Sequence, residues 1–393
     1  MDARTPDTEL AAEKSWRPER CDRVALVLQG GGALGAYQAG VYQGLAEANL
    51  HPDWIAGISI GAINTAIIAG NPPEKRIERL RSFWEGISAD PWFWGADHIR
   101  AAMLPGDEAR SLFNQASATR ALVSGAPGMF QPRLPSPWLQ PKGSPEATSY
   151  YDTKSLRATL ERLVDFDRIN AGVPRFSVGA VNIRSGNFVY FDNTTHRIGA
   201  EHVMASGALP PGFPAIEIDG EFYWDGGLVS NTPLQWMLEC HDRRDTLAFQ
   251  IDLWSARGEL PGNMLEVMVR EKEIQYSSRT RANTDHFARE QRLRNALATA
   301  VEKLPEELRH LPEFAPIIAG QDRSVYNIVH LIYRARHYEG HAKDYEFSRL
   351  SMEEHWQAGH RDATRTLRQP EIYERPPRHE GVFVFDVLRD AGD

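Results

Sequence analysis

The sequence predicts an α/β fold: a central, mostly parallel sheet flanked by helices in three layers, followed by a mainly helical C-terminal extension. Three observations carry that expectation. Val24-Ala25-Leu26-Val27-Leu28 is an unbroken apolar run, the pattern of a strand buried on both faces of a parallel sheet. Beyond Gly30-Gly31-Gly32, the residues Leu34, Tyr37, Val41, Leu45 and Ala48 recur at spacings of three and four, as on one face of a helix. Trp54 to Ile58 then reads as a second strand, and Ile60 to Ala69 as a small-residue helix ended by Gly70-Asn71-Pro72-Pro73. Strand, helix, strand and helix within about fifty residues is βαβ organisation, with a right-handed crossover.

The remaining elements follow in order. Asn49 is placed to stop the first helix, and Glu74 to Ile87 reads as a third. From about residue 90 to 150 the chain mixes Pro, Gly and large apolar residues without a period: Trp92, Phe93, Trp94, Met103, Leu104, Met129, Phe130, Trp138 and Leu139. This reads as an insertion, expected to form an apolar rim at the entrance of a site. Asp152 can cap a helix that carries Leu156, Leu160, Leu163 and Val164 on one face. Arg175 to Ile183 and Phe188 to Phe191 read as a hairpin around Ser185-Gly186-Asn187. Glu221 to Trp224 and Leu247 to Leu253 are further strands, with Thr232-Pro233 placed to start a helix between them. The expected organisation is a tail over 1–22, an α/β domain over 23–240 and a mainly helical region over 255–393. In that last region His330, His337, His341, His355 and His360 lie close together. No Cys accompanies them and Gly340 interrupts the His337/His341 pair, so they read as an ion-paired, solvated helical surface and not as a metal site.

Composition narrows the classes. With 393 residues, 42% hydrophobic and 25% charged, the chain has the balance of a globular protein, which excludes collagen-like and wholly disordered chains. A net charge of −9 argues against nucleic acid as a partner. Cys21 and Cys240 cannot make a disulfide framework, which fits a reducing compartment. Met1 to Arg20 has no apolar core of a signal peptide, and the uncharged stretch Ile55–Gly70, 16 residues long, is short for a membrane span. The expected location is cytoplasmic, either free or peripheral to a membrane.

Three motifs carry chemistry. Gly57-Ile58-Ser59-Ile60-Gly61 stands at a strand-to-helix junction, where a serine needs a sharp turn and glycines two before and two after remove colliding side chains. The following helix offers N–H groups and a positive dipole to a developing oxyanion. Gly30-Gly31-Gly32-Ala33-Leu34-Gly35 satisfies G-x-G-x-x-G, and Asp53 lies 23 residues after Gly30, so a dinucleotide fingerprint is one reading. But Asp53 precedes the second strand, whereas a ribose-binding acid belongs at that strand's far end, which Ser59 occupies; an oxyanion loop beside a nucleophile fits better. Asp225-Gly226-Gly227 follows Glu221-Phe222-Tyr223-Trp224: either a plain Asp-Gly turn or a carboxylate whose aromatic surroundings raise its pKa toward that of a general base.

In the order glycine loop, G-x-S-x-G, then Asp-Gly-Gly 166 residues after the serine, the sequence resembles the patatin-like phospholipases from about Val24 to Leu238. Gly40-Val41-Tyr42-Gln43-Gly44-Leu45, Ala205-Ser206-Gly207-Ala208-Leu209-Pro210 and Asn231-Thr232-Pro233 also look like that family. The resemblance implies a serine lipid acyl hydrolase with a Ser–Asp dyad: Ser59 the nucleophile, Asp225 the base, and the N–H groups around Gly30, Gly31 and Gly32 the oxyanion hole. It implies a lipid ester substrate, transient contact with a membrane or lipid aggregate, and no metal or organic cofactor; oligomeric state stays open. One position departs, since the family's loop carries Arg or Lys where Leu34 stands, which bears on anionic head groups. Acyl transfer or thioester cleavage by the same dyad, a triad completed by His241 or His330, and a lipid-binding scaffold are the alternatives.

Overall fold

The apolar run at the start of the chain becomes β1 (Arg23–Leu28), and its neighbours in sequence become α1 (Gly35–Glu47), β2 (Trp54–Gly57), α2 (Ile60–Ala69) and α3 (Pro73–Ile87). The computed structural model describes residues 21–88, 106–240, 242–277 and 280–387. Asn49 ends α1 in the left-handed conformation, φ 55°. Beyond lie α4 (Asp107–Ser124), α5 (Lys154–Leu163), β3 (Arg175–Asn182), β4 (Phe188–Asp192), α6 (Ala200–Ser206), β5 (Ile216–Ile218), β6 (Glu221–Asp225), α7 (Leu234–Leu238) and β7 (Thr246–Asp252). The C-terminal region supplies α8 (Met264–Tyr276), α9 (Thr280–Lys303), β8 (Tyr326–Ile332), α10 (Arg349–Thr366) and β9 (Val382–Phe385).

One nine-stranded mixed sheet runs in the order β9-β8-β7-β1-β2-β3-β6-β5, with β4 also on β3. The pairs from β9 across to β3 are all parallel, whereas β4, β5 and β6 pair antiparallel. Every residue of β1 and of β7 is buried, which explains why neither alternates with polar residues. On one face Val24, Leu26 and Leu28 join the core of α1, α2 and α3; on the other Ala25 and Val27 meet Leu234 and Leu238 of α7 and Phe287 of α9. The fold is therefore three layers deep.

The C-terminal region is mainly helical, and it also adds β8 and β9 to the sheet, so the sheet does not divide at the boundary expected near residues 240–255. Its helix α10 lies directly on α1: a Cβ at Gly40 would strike the Trp356 carbonyl oxygen, and one at Gly359 the Tyr37 carbonyl oxygen. Trp356 Nε1 donates to Gln43 Oε1 at 2.7 Å and Tyr37 Oη to Asp362 at 2.8 Å. The histidines expected on a solvated surface are divided by this packing. His330 in β8 and His355 in α10 are buried, the latter against Glu339 at 3.3 Å, while His360 pairs with Glu47 at 2.7 Å. Among the described residues no group of three or more His, Cys, Asp or Glu side chains is arranged to hold a metal ion. Likewise, no described helix is long and apolar enough to cross a membrane.

Of the aromatic insertion, Trp92, Phe93, Trp94, Met103 and Leu104 lie outside the described residues. Met129 and Phe130 are buried, and Phe130 packs edge-on against Tyr151 and tilted against Phe213. Trp138 and Leu139 are exposed. The helix expected from Asp152 is α5, with Thr153 as the cap residue and Asp152 accepting the Lys154 N–H at 2.7 Å.

Candidate active site

β2 and β6 end against the same edge of β3. Gly57 of β2 pairs with Val178 and Asp225 of β6 pairs with Ala180, while β4 takes the opposite edge over Ser177–Val181. The two strands run in opposite directions, so their carboxyl ends meet almost end to end, separated on β3 by Gly179. Within a sheet expected to be mostly parallel, the strand carrying Asp225 runs antiparallel to β2, and it is the collision of strand ends that brings the turns together. A Cβ at Gly226 would stand 2.7 Å from the Gly179 carbonyl oxygen and 3.2 Å from the Ile58 side chain, so only glycine lets them close.

Ser59 follows β2 with φ 55° and ψ −122°, a left-handed conformation outside a helix that costs a non-glycine residue about 1–3 kcal/mol. Its surroundings hold it there. The Ser59 N–H donates to the Ser206 carbonyl and to Ser206 Oγ, both at 3.1 Å, and Ile58 N–H donates to Leu28 O at 3.1 Å. The glycines on either side serve close approach: a Cβ at Gly61 would fall on the Leu28 carbonyl oxygen, and one at Gly57 on the Gly61 carbonyl oxygen. Ser59 itself stays half-buried.

Asp225 is 2% exposed and accepts the Gly227 N–H at 2.7 Å, with its own N–H on Ala208 O at 3.0 Å. Ser206 and Ala208 thus hold the backbones of both turns. Burial pushes the Asp225 carboxyl up from 3.8 to about 7, against the opposing pull of hydrogen bonds from the Ser59 hydroxyl and the Gly227 N–H. A carboxyl in that range exchanges its proton near neutral pH.

The glycine loop lies alongside. A Cβ at Gly30 would come 3.0 Å from Ser59 Cβ and would collide with Asn231 Oδ1. Gly30 differs from its neighbours, because its N–H donates to the Asn231 carbonyl at 3.3 Å; the sequence expectation of three free donors reduces to Gly31 and Gly32, whose N–H groups donate to nothing among the described residues. The Gly30 carbonyl accepts from Trp254 Nε1 and Asn231 Nδ2, each at 3.0 Å. In a trans peptide the carbonyl and the next N–H point in opposite directions, so this double anchor turns the Gly31 N–H away from Trp254 and Asn231. Gly32, at φ 56°, sits against the Asp344 carbonyl, which accepts the Ala33 N–H at 2.8 Å. Gly35 opens α1, where a Cβ would lie 2.5 Å from Ile60 of α2.

Several of these partners lie beyond the motifs. Asn231 Nδ2 and Gln29 Nε2 both reach the Tyr276 carbonyl at the end of α8, at 3.0 and 3.1 Å, and Gln29 Oε1 takes the N–H groups of Leu253 and Trp254 at 2.6 and 3.0 Å. Lys272 of α8 pairs with Asp344 at 2.6 Å, and Lys343 with Glu273 of α8 at 2.7 Å. Leu34, where the resemblance expects a cation, is fully buried in the core. Asp53 accepts the Val24 N–H at 2.8 Å, at the opposite edge of the sheet from the loop. His330 sits 4.0 Å from Asp252, on the far side of β1 from Asp225; His241 lies outside the described residues.

Fold and turns together are those of a three-layer α/β protein in which a glycine loop, a serine turn and an Asp-Gly-Gly turn close on one another. A sequence model of the patatin-like phospholipases matches residues 26–237, more than half the chain, and a second one, described as patatin phospholipase, matches 274–379; the protein belongs to the patatin-like phospholipase family. It is 43% identical over 65 residues to the triacylglycerol lipase SDP1L of Arabidopsis thaliana, a stretch that is 16% of this chain and 8% of that protein, so it spans only a small part of that relative's length. Solved structures similar to it include VipD from Legionella pneumophila, with 15% identity, a TM-score of 0.38, and coverage of 88% of this chain and 67% of that one. Another is ExoU in complex with SpcU, from the type III secretion system of Pseudomonas aeruginosa, with 17% identity, a TM-score of 0.27, and coverage of 68% and 52%.

Proposed function

We propose that the protein is a lipid acyl hydrolase that cleaves carboxylic esters through an acyl-enzyme on Ser59. The Ser59 hydroxyl gives its proton to Asp225 as Oγ bonds to the ester carbonyl carbon, and the Gly31 and Gly32 N–H groups receive the oxyanion. Collapse of the tetrahedral adduct breaks the ester C–O bond, and the alcohol leaves with the proton that Asp225 had taken. A water then attacks the acyl–Ser59 ester by the same route, releasing the fatty acid and restoring the serine.

The observation that carries this reading is the head-on meeting of β2 and β6, which sets the Ser59 hydroxyl on a buried carboxyl poised near pH 7. Membership of the patatin-like phospholipase family supports a lipid ester as the substrate class. A fluorophosphonate should label the protein at Ser59 and inactivate it, and Ser59→Ala should neither be labelled nor release fatty acid from lipid. Labelling of a folded Ser59→Ala variant at an undiminished rate would refute the assignment.

A further inference from the structure

An ordinary surface helix turns its charges to water and its apolar side chains to the protein. Helix α8 departs from this pattern. Its outward side carries Met264, Leu265, Val267, Met268 and Ile274, exposed between 41% and 73%, and none of its residues is buried. Three of its five charged side chains are drawn inward instead: Arg270 onto Glu273 at 3.2 Å, Lys272 onto Asp344 at 2.6 Å, and Glu273 onto Lys343 at 2.7 Å, while Glu271 stays exposed among the apolar residues. Glu266 is spent on the helix's own start, accepting from Gly262 N–H at 2.6 Å and Asn263 Nδ2 at 2.7 Å. Leu260, in the turn before the helix, is 95% exposed.

We propose that α8 is the element by which the enzyme seats itself on an electrically neutral lipid–water surface. Three features select that occupant. Flexible methionines with a leucine, a valine and an isoleucine suit a fluid, irregular apolar phase. The helix ends at the site, its last carbonyl held by Gln29 and Asn231 beside the glycine loop, so a surface touching α8 delivers lipid where an acyl chain must enter. Both of its cations are occupied by carboxylates, leaving nothing on the outer side to attract anionic head groups, and the chain's net charge of −9 opposes them.

The delivery of lipid to Ser59 rests on the proposed hydrolase reading; the docking itself does not, and the two are tested apart. Phosphatidylcholine vesicles sedimented with the Ser59→Ala protein, which leaves lipid intact, should carry it down. Adding Val267→Asp and Ile274→Asp should reduce the bound fraction about tenfold or more, whereas Val267→Leu with Ile274→Leu should retain it. In the active protein the aspartate pair should slow hydrolysis of vesicle lipid while turnover of a short soluble ester continues unchanged. Amide exchange of the unsubstituted protein should slow across 264–274 when vesicles are added, a readout that needs no variant to fold. Absent sedimentation, undiminished sedimentation of the aspartate variant, unchanged exchange across α8, or a preference for phosphatidylglycerol-rich vesicles would each overturn the proposal. Vesicle binding without hydrolysis of any ester would instead overturn the function and leave the docking intact.

Discussion

The turns at Ser59 and Asp225 both end a strand, both are flanked by glycine and meet beside one strand, yet each is held by different means. At Ser59 the cost is conformational: φ is 55°, the side chain is half-buried, and backbone hydrogen bonds donated to the Leu28 and Ser206 carbonyls stabilise the turn. At Asp225 the backbone is unstrained at φ −51°, and the cost is one of solvation, since a buried carboxyl resists ionising. The serine is thus made available by geometry and the aspartate made basic by exclusion of water. Changes that alter shape should act on the first, and changes that alter charge on the second.

The largest effect that separates them is expected from Asp225→Asn. Removing the base should lower turnover about 10²–10⁴-fold. The same change should stabilise the fold at alkaline pH. The carboxyl ionises near 3.8 in the unfolded chain and near 7 in the native one, so unfolding releases a proton between those values and stability falls as pH rises through that window. Thermal unfolding at pH 4 and pH 8 should show that loss in the parent and a smaller one in Asp225→Asn; equal losses would mean that Asp225 carries no desolvation cost. In step with this, turnover of a soluble ester should rise with pH through an apparent pKa near 7.

An intermediate effect is expected from Trp254→Phe, which removes one of two donors on the Gly30 carbonyl and leaves Ser59 and Asp225 untouched. Losing a whole oxyanion donor costs about 10²–10³-fold, so loosening one by a single anchor should cost about tenfold, in kcat with KM unchanged. A rise in KM alone would make Trp254 part of a substrate wall and not a positioning residue. The smallest effect sharpens the comparison most. Because the Ser59 hydroxyl lowers the Asp225 pKa by hydrogen bonding, Ser59→Ala should raise it further, readable by carboxyl infrared titration. A fall would break the link between the turns.

Local patterns were readable wherever their cause is local. The apolar run of β1, the spacing of α1 and the glycines around Ser59 each reflect forces acting within a few residues, and each stands in the structure where the sequence puts it. The direction of β6 was not readable, because Glu221–Asp225 looks the same whichever way it pairs. Nor were the braces of the glycine loop: Asn231 and Trp254 act on Gly30 across 201 and 224 residues, and a single polar side chain at that separation leaves no pattern. Ser206 and Asn231 stand in stretches that resemble the family, which marks them without saying that they hold Ser59 and Gly30. In β8, the run Asn327-Ile328-Val329-His330-Leu331-Ile332 carries a strand signal, and the neighbouring histidines and helices obscured it. In α8 the exposed apolar residues share one side with Glu271 and Gln275, and only tertiary contacts reveal that this side faces out.

The bracing of the loop also orders events in time. Trp254 follows Gly30 by 224 residues, and the Asp344 carbonyl that receives the Ala33 N–H comes later still. At translation rates of about 5–20 residues per second, the roughly 310 residues from loop to last brace take about 15 to 60 s. During that interval the glycine loop lacks its supports, and Ser59, for the first 147 residues beyond it, lacks Ser206 as well. A glycine loop braced in this order takes its final form only once Asp344 has been made.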